Sequence, residues 1–183
     1  MGINGIGAAG YPVMGYGNTR QARKNEAETA FSDILNNTAA AAPHTSIVYL
    51  KTDDMLYSGG NGTGLSFYIK YAQNSTDEDP TVVAKGVDEN GKEFEQTIHI
   101  NDINPQHASV VEMHALEAYL DVDKNGGLSS LPMETGMMGL HDRADFMGLF
   151  EKQISDMTLL KQQKTAAYYR QSMQAFWDFM DRK

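Results

Sequence analysis

The chain predicts an α+β fold: a mostly antiparallel sheet of about four strands (46–100), packed by carboxyl-terminal helices, behind a flexible glycine-rich amino-terminal tail. Two observations carry this. The apolar period is two between residues 46 and 100 and becomes helical afterwards. Strands come first and helices second, without the β-α alternation of a parallel sheet. The reading divides the chain into a tail (1–19), a helix with linker (20–42) and a single α+β domain (43–183).

Residues 1–19 are poor in charge and carry Gly2, Gly5, Gly7, Gly10, Gly15 and Gly17. Ordering such a stretch costs much backbone entropy, with few side chains to offset it. Residues 20–37 mix Ala22, Ala27, Ala30, Phe31, Ile34 and Leu35 with charged helix formers, so a helix is expected, and Ala39–Pro43 reads as a linker. Ser46–Lys51, Leu65–Tyr71, Val82–Val87 and Glu93–Ile100 read as strands rich in Val, Ile, Tyr, Phe and Thr. Asn90-Gly91 supplies the positive φ angles of a tight hairpin turn. In the arm after it, Phe94, Gln96, Ile98 and Ile100 share one face and Glu93, Glu95, Thr97 and His99 the other, so the sheet is wet on one side. The runs 59–64 and 74–80 read as exposed loops.

Ser109-Val-Val-Glu112 is a capping box, which starts a helix at Val110 that runs to about Leu120. Leu131–Leu140 reads as a broken helix weakened by Gly136 and Gly139. Phe146, Phe150, Ile154, Met157 and Leu160 recur at spacings of three and four. Tyr169, Met173, Phe176/Trp177 and Met180 repeat the pattern. Two such helices need a surface to cover, and the sheet's apolar face is the candidate.

Composition narrows the function. At 183 residues with 41% apolar content, the chain can bury one proper core. A net charge of −9 argues against nucleic acid as partner, because phosphates are neutralised by an excess of Lys and Arg. With no cysteine there is no disulfide, thiolate metal site or thiol nucleophile. No run approaches a membrane span, and the start lacks a charged segment followed by an apolar core. A cytoplasmic location is expected, with export by a signal-less route as the alternative.

The nearest approach to a chemical site is the run 121–132. Read as a calcium loop, Asp121, Asp123 and Asn125 fall at positions 1, 3 and 5, Gly126 at the sharp turn and Ser129 at position 9. The carbonyl of Gly127 would complete the middle of such a loop. Position 12 should be a bidentate Glu but is Pro132, and Glu134 lies two residues late. A polar turn that ends a helix explains the same residues. No other cofactor is expected. Gly5-Ile-Gly-Ala-Ala-Gly10 spells a dinucleotide fingerprint, but no strand precedes it.

His44, His99, His107, His114 and His141 are scattered. His114 and Glu117 stand one helical turn apart without a third zinc ligand. No residue set reads as catalytic. Seven of the 11 methionines lie between Met133 and Met180. Their flexible thioethers suit an irregular core or an adaptable contact face around Met133, Met137, Met138 and Met147. Phe176-Trp177-Asp178-Phe179-Met180 is too apolar to stand free in water, so Phe176 and Trp177 either dock on the domain or meet another chain.

The start Gly5-Ile-Gly-Ala-Ala-Gly-Tyr-Pro12 with Gly15-Tyr16, the segment Ser109–Met113 and the closing Phe176-Trp-Asp-Phe179 resemble a family of small uncharacterised bacterial proteins. The resemblance implies one compact unit behind a flexible tail and carries no chemistry. The function expected is a non-enzymatic binding or interaction module for a protein partner or for self-association. A weak calcium-binding protein is the first alternative, and a hydrolase assembled only in the fold is the second.

Overall fold

A computed structural model describes residues 47–124 and 129–182. The expected tail, the helix over 20–37, the linker, Asn125, Gly126 and Gly127 lie outside the described residues. The described residues belong to the compact unit His44–Lys183.

Four strands, β1 (Tyr57–Gly60), β2 (Ser66–Tyr71), β3 (Thr81–Val87) and β4 (Glu93–His99), form an antiparallel meander in the order β1-β2-β3-β4. Alternation sets its two faces. Leu65, Phe67, Ile69, Val82, Ala84 and Ile98 are buried on one side, while Glu93, Glu95, Thr97 and His99 are exposed on the other. The register Phe67↔Gly86↔Phe94 places a glycine between two aromatic residues. A β-carbon there would stand 2.1 Å from the Ser66 carbonyl oxygen and 2.6 Å from Phe67 Cβ.

The β3–β4 turn differs from the tight Asn-Gly hairpin. Gly91 alone has positive φ, 76°, and Asp88 N–H donates to the Lys92 carbonyl at 2.8 Å. This is a three-residue loop closed by a left-handed glycine. The Asp88 carboxylate accepts from the N–H of Lys92 and of Asn90. The Lys92 N–H first among its partners, these bonds hold its carboxyl below the ordinary carboxylate range.

The first strand also differs. Residues 47–51 form no strand, and the pairing falls to Tyr57–Gly60 within a stretch that the sequence reading gave partly to a loop. The 47–50 segment lies against the sheet's outer side through side chains instead. The Ser66 hydroxyl donates to the Ile47 carbonyl, the Ser58 hydroxyl to the Tyr49 carbonyl, and the Tyr49 ring meets Tyr68 edge-on at 5.2 Å.

Helix α1 (Val110–Tyr119) follows the short strand β5 (Ala108–Ser109). Its capping box is complete: Glu112 N–H donates to Ser109 Oγ at 3.2 Å, and Ser109 N–H to Glu112 Oε2 at 2.8 Å. Strand β6 (Arg143–Ala144) pairs with β5, and Arg143 bridges Glu112 (2.7 Å) and the His107 carbonyl (2.9 Å). Residues 131–140 form no helix of the α type. A single 3-10 turn, Met133–Met137, stands there.

Helices α2 (Phe146–Leu159) and α3 (Gln163–Met180) form an antiparallel pair. The helix packed most extensively on β1 and β3 is α1. The closing helices enter the same core through Phe146, Phe150 and Phe176. Among the described residues no helix is long and apolar enough to cross a membrane.

Two stability measurements check this architecture. Ser109→Ala removes the helix cap and should cost about 1 kcal/mol in urea unfolding. Gly86→Ala should cost more, roughly 1–3 kcal/mol, because main chain and not a movable side chain meets the added carbon.

Candidate functional site

Glu117 faces inward from the last turn of α1 and is 0% exposed. An isolated carboxylate at that depth would cost several kcal/mol, so its partners decide what it does. His114, one turn earlier, donates from Nδ1 to Oε2 at 2.8 Å. A carboxylate only accepts, which fixes the proton on that nitrogen. Oε1 takes the Ser130 N–H at 2.7 Å, the Ser130 hydroxyl at 2.7 Å and the Ser129 hydroxyl at 3.3 Å. The Lys124 ammonium stands 3.6 Å from Oε2.

Aromatic rings close the site. The Tyr57 ring stacks on the His114 imidazole at 4.3 Å, Phe67 lies 5.9 Å from that imidazole, and Lys124 Nζ sits 5.3 Å over the Tyr57 ring. Burial pushes the Glu117 carboxyl up, but the His114 bond and charge, then Lys124 and Ser130, outweigh it and bring it down to about 2. Burial and then the Glu117 charge push the Tyr57 phenol well above its ordinary value.

The chain leaves α1 through a left-handed residue, Asp121 (φ 49°). Val122 N–H reaches the Glu117 carbonyl at 3.1 Å and Asp121 N–H the Ala118 carbonyl at 3.4 Å, the paired bonds of a Schellman exit. The first residue of the suggested calcium loop therefore caps the helix. Ser129 directs its hydroxyl to Glu117 and accepts from Leu131 N–H at 3.0 Å. The Asp123 carbonyl accepts from the Tyr168 hydroxyl at 3.1 Å. Glu134 is ion-paired with Lys152. Among the described residues no three His, Asp or Glu side chains gather as a metal site.

Of the pair noted in the sequence, His114 and Glu117 do meet. The spacing gave the pair; Lys124, Ser130 and Tyr57 were missed and Ser129 was assigned to a calcium loop, since these partners come from the segments after α1 and from a separate strand. The set does not have the geometry of nucleophilic catalysis. Ser130 donates to the carboxylate, whereas a nucleophilic serine would face the imidazole. A carboxylate held near 2 is also a poor general base at neutral pH. What the arrangement does is fasten residues 129–130 to α1.

The residues expected to meet a partner separate into two groups. Met147 and Phe176 are core residues, and Met138 and Trp177 are partly buried against the core. Met133 and Met137 stand in solvent, 70% and 71% exposed. Their turn is firmly held. Gly62 N–H donates to the Gly136 carbonyl (2.9 Å), Asn61 Nδ2 to the Met138 carbonyl (2.6 Å), and Met133 N–H to Gln153 Oε1 (3.3 Å). Leu159 and Leu160 are also exposed, at the α2–α3 turn beside left-handed Lys161.

No family model, no curated protein and no solved structure matches this chain. The geometry defines its class: a four-stranded antiparallel α+β domain pinned by a buried carboxylate.

The pH dependence of stability tests the role of Glu117. Its carboxyl titrates lower in the folded chain (about 2) than at its ordinary value of 4.5. The stabilisation is therefore complete above about pH 4.5 and fades as pH falls toward about 2, on the order of 3 kcal/mol in all. Glu117→Gln should lose roughly that amount at pH 7 and flatten the unfolding profile across that acid window.

Proposed function

We propose that the chain is a non-enzymatic binding module whose contact face centres on Met133 and Met137. The observation that supports this is their exposure on a turn held from two sides, by the β1–β2 turn and by Gln153 of α2. A large apolar side chain in water gains by leaving it, at about 25 cal/mol per Å² covered. Two thioethers on one fixed turn offer a partner a preformed but adaptable apolar contact. The imidazole and carboxylate of α1, by contrast, are engaged by the protein's own donors. The partner class is a protein surface with an apolar patch of its own.

Replacing both methionines by glutamate tests the reading, since neither side chain contributes to the core. Co-purification from native cells identifies the partner, and calorimetry with that purified partner measures the effect. The Met133→Glu/Met137→Glu chain should melt within a few degrees of the parent and bind at least tenfold more weakly, typical for central apolar contacts. Equal affinity for both chains would end the proposal.

A further inference from the structure

We propose that β4 is a self-association edge, and that two copies of the chain pair antiparallel through it about Gln96. The ladder shows which main-chain groups are free. Asp88 N–H bonds the Lys92 carbonyl at one end of the β3–β4 pairing, and Ile100 N–H bonds the Pro80 carbonyl at the other. Bonded and non-bonded pairs alternate between these ends. In the register Val82↔Ile98, Ala84↔Gln96 and Gly86↔Phe94, it is therefore Phe94, Gln96 and Ile98 that bond β3. Glu93, Glu95, Thr97 and His99 turn their N–H and C=O groups to the open side. Among the described residues no main chain takes them up. A hollow of about 310 Å³ lies alongside, lined by Phe94, Glu95 and Gln96 of the strand and by Leu140, His141 and Arg143 opposite.

Natural edges are usually guarded by proline, a bulge, exposed charges or an inward-pointing charge, and of these β4 carries only exposed charges such as Glu93 and Glu95. β4 has seven residues and no proline, and its inward side chains (Phe94, Gln96, Ile98) are uncharged. Its sequence is also self-complementary. Pairing about Gln96 sets Glu93 opposite His99 of the second copy, Glu95 opposite Thr97 and Phe94 opposite Ile98. The outward groups then form the hydrogen-bonded pairs, as the ladder requires. A shift of two residues one way sets Glu95 against Glu95, which like charges disfavour. The opposite shift loses the Glu93 pairing and shortens the ladder. A second copy thus fits better than an arbitrary strand.

The absence of cysteine makes the register directly readable. In the two-fold arrangement the residues at 96 face each other as a non-hydrogen-bonded pair, with α-carbons about 4.5 Å apart, within the span of a disulfide. Gln96→Cys should cross-link under mild oxidation at least tenfold faster than Thr158→Cys, an exposed control on α2. Sedimentation of the unmodified full chain from about 1 μM to 1 mM should show a monomer–dimer equilibrium, the range expected of a small interface. Each copy carries −9, so the dimer should strengthen as salt is raised to about 0.15 M. Thr97→Pro removes an outward N–H and no bond to β3, and should leave a monomer that melts like the parent. Equal cross-linking rates at 96 and 158, a parent chain monomeric throughout, or a Thr97→Pro chain that still dimerises would each overturn the pairing.

Discussion

The end of the first helix is set by one buried charge. Glu117 accepts from His114, Ser129 and Ser130 and pairs with Lys124, so a carboxylate costly to bury becomes the place where helix, returning loop and first strand meet. The cost of burial makes it specific. Any rearrangement that withdraws these donors leaves a charge in an apolar setting, whereas an aliphatic contact can slide with little loss. Tyr57 closes the arrangement from β1, stacked on His114 and lying beneath Lys124. A strand of only four residues thereby gains a fixed position that its own ladder would barely secure.

The same logic separates what holds the fold from what the fold presents. His114 and Glu117 are turned inward and engaged, and other polar groups serve as caps: Asp145 accepts from Gly148 N–H at the start of α2, and Ser109 from Glu112 N–H at the start of α1. Methionine is divided differently. Met113 and Met147 fill the core while Met133 and Met137 stand out on a turn too short to bury both its faces. A fixed turn with mobile thioethers combines a preset position with an adjustable contact.

Much of this was legible in the sequence, where local rules suffice. Strands β2 to β4 followed from alternation, α1 from the Ser109/Glu112 pair, and α2 and α3 from apolar spacing. The failures came where partners decide. Ile47, Val48 and Tyr49 have strand-forming side chains, yet serine hydroxyls take up the carbonyls of Ile47 and Tyr49. Tyr57-Ser58-Gly59-Gly60 looks like a turn but pairs because β2 offers a free edge in register. The 131–140 segment misled in the same way, since its turn is dictated by Asn61 and Gly62 across the chain. Of the buried site, the spacing of His114 and Glu117 was visible, but nothing local announced that Ser129 and Ser130 would return to them.

The two borders of the sheet are unequal, and this sets a limit on assembly. On one side β1 has four residues, ends in two glycines and has residues 47–50 beside its outer face; on the other β4 has seven residues, and among the described residues no main chain pairs with its open side. The two-fold union proposed for β4 would consume that border of both molecules at once and leave only the short β1 borders to a newcomer. Growth through β4 would therefore halt at a closed pair, and a head-to-tail filament would have to take the four-residue β1 as its next edge.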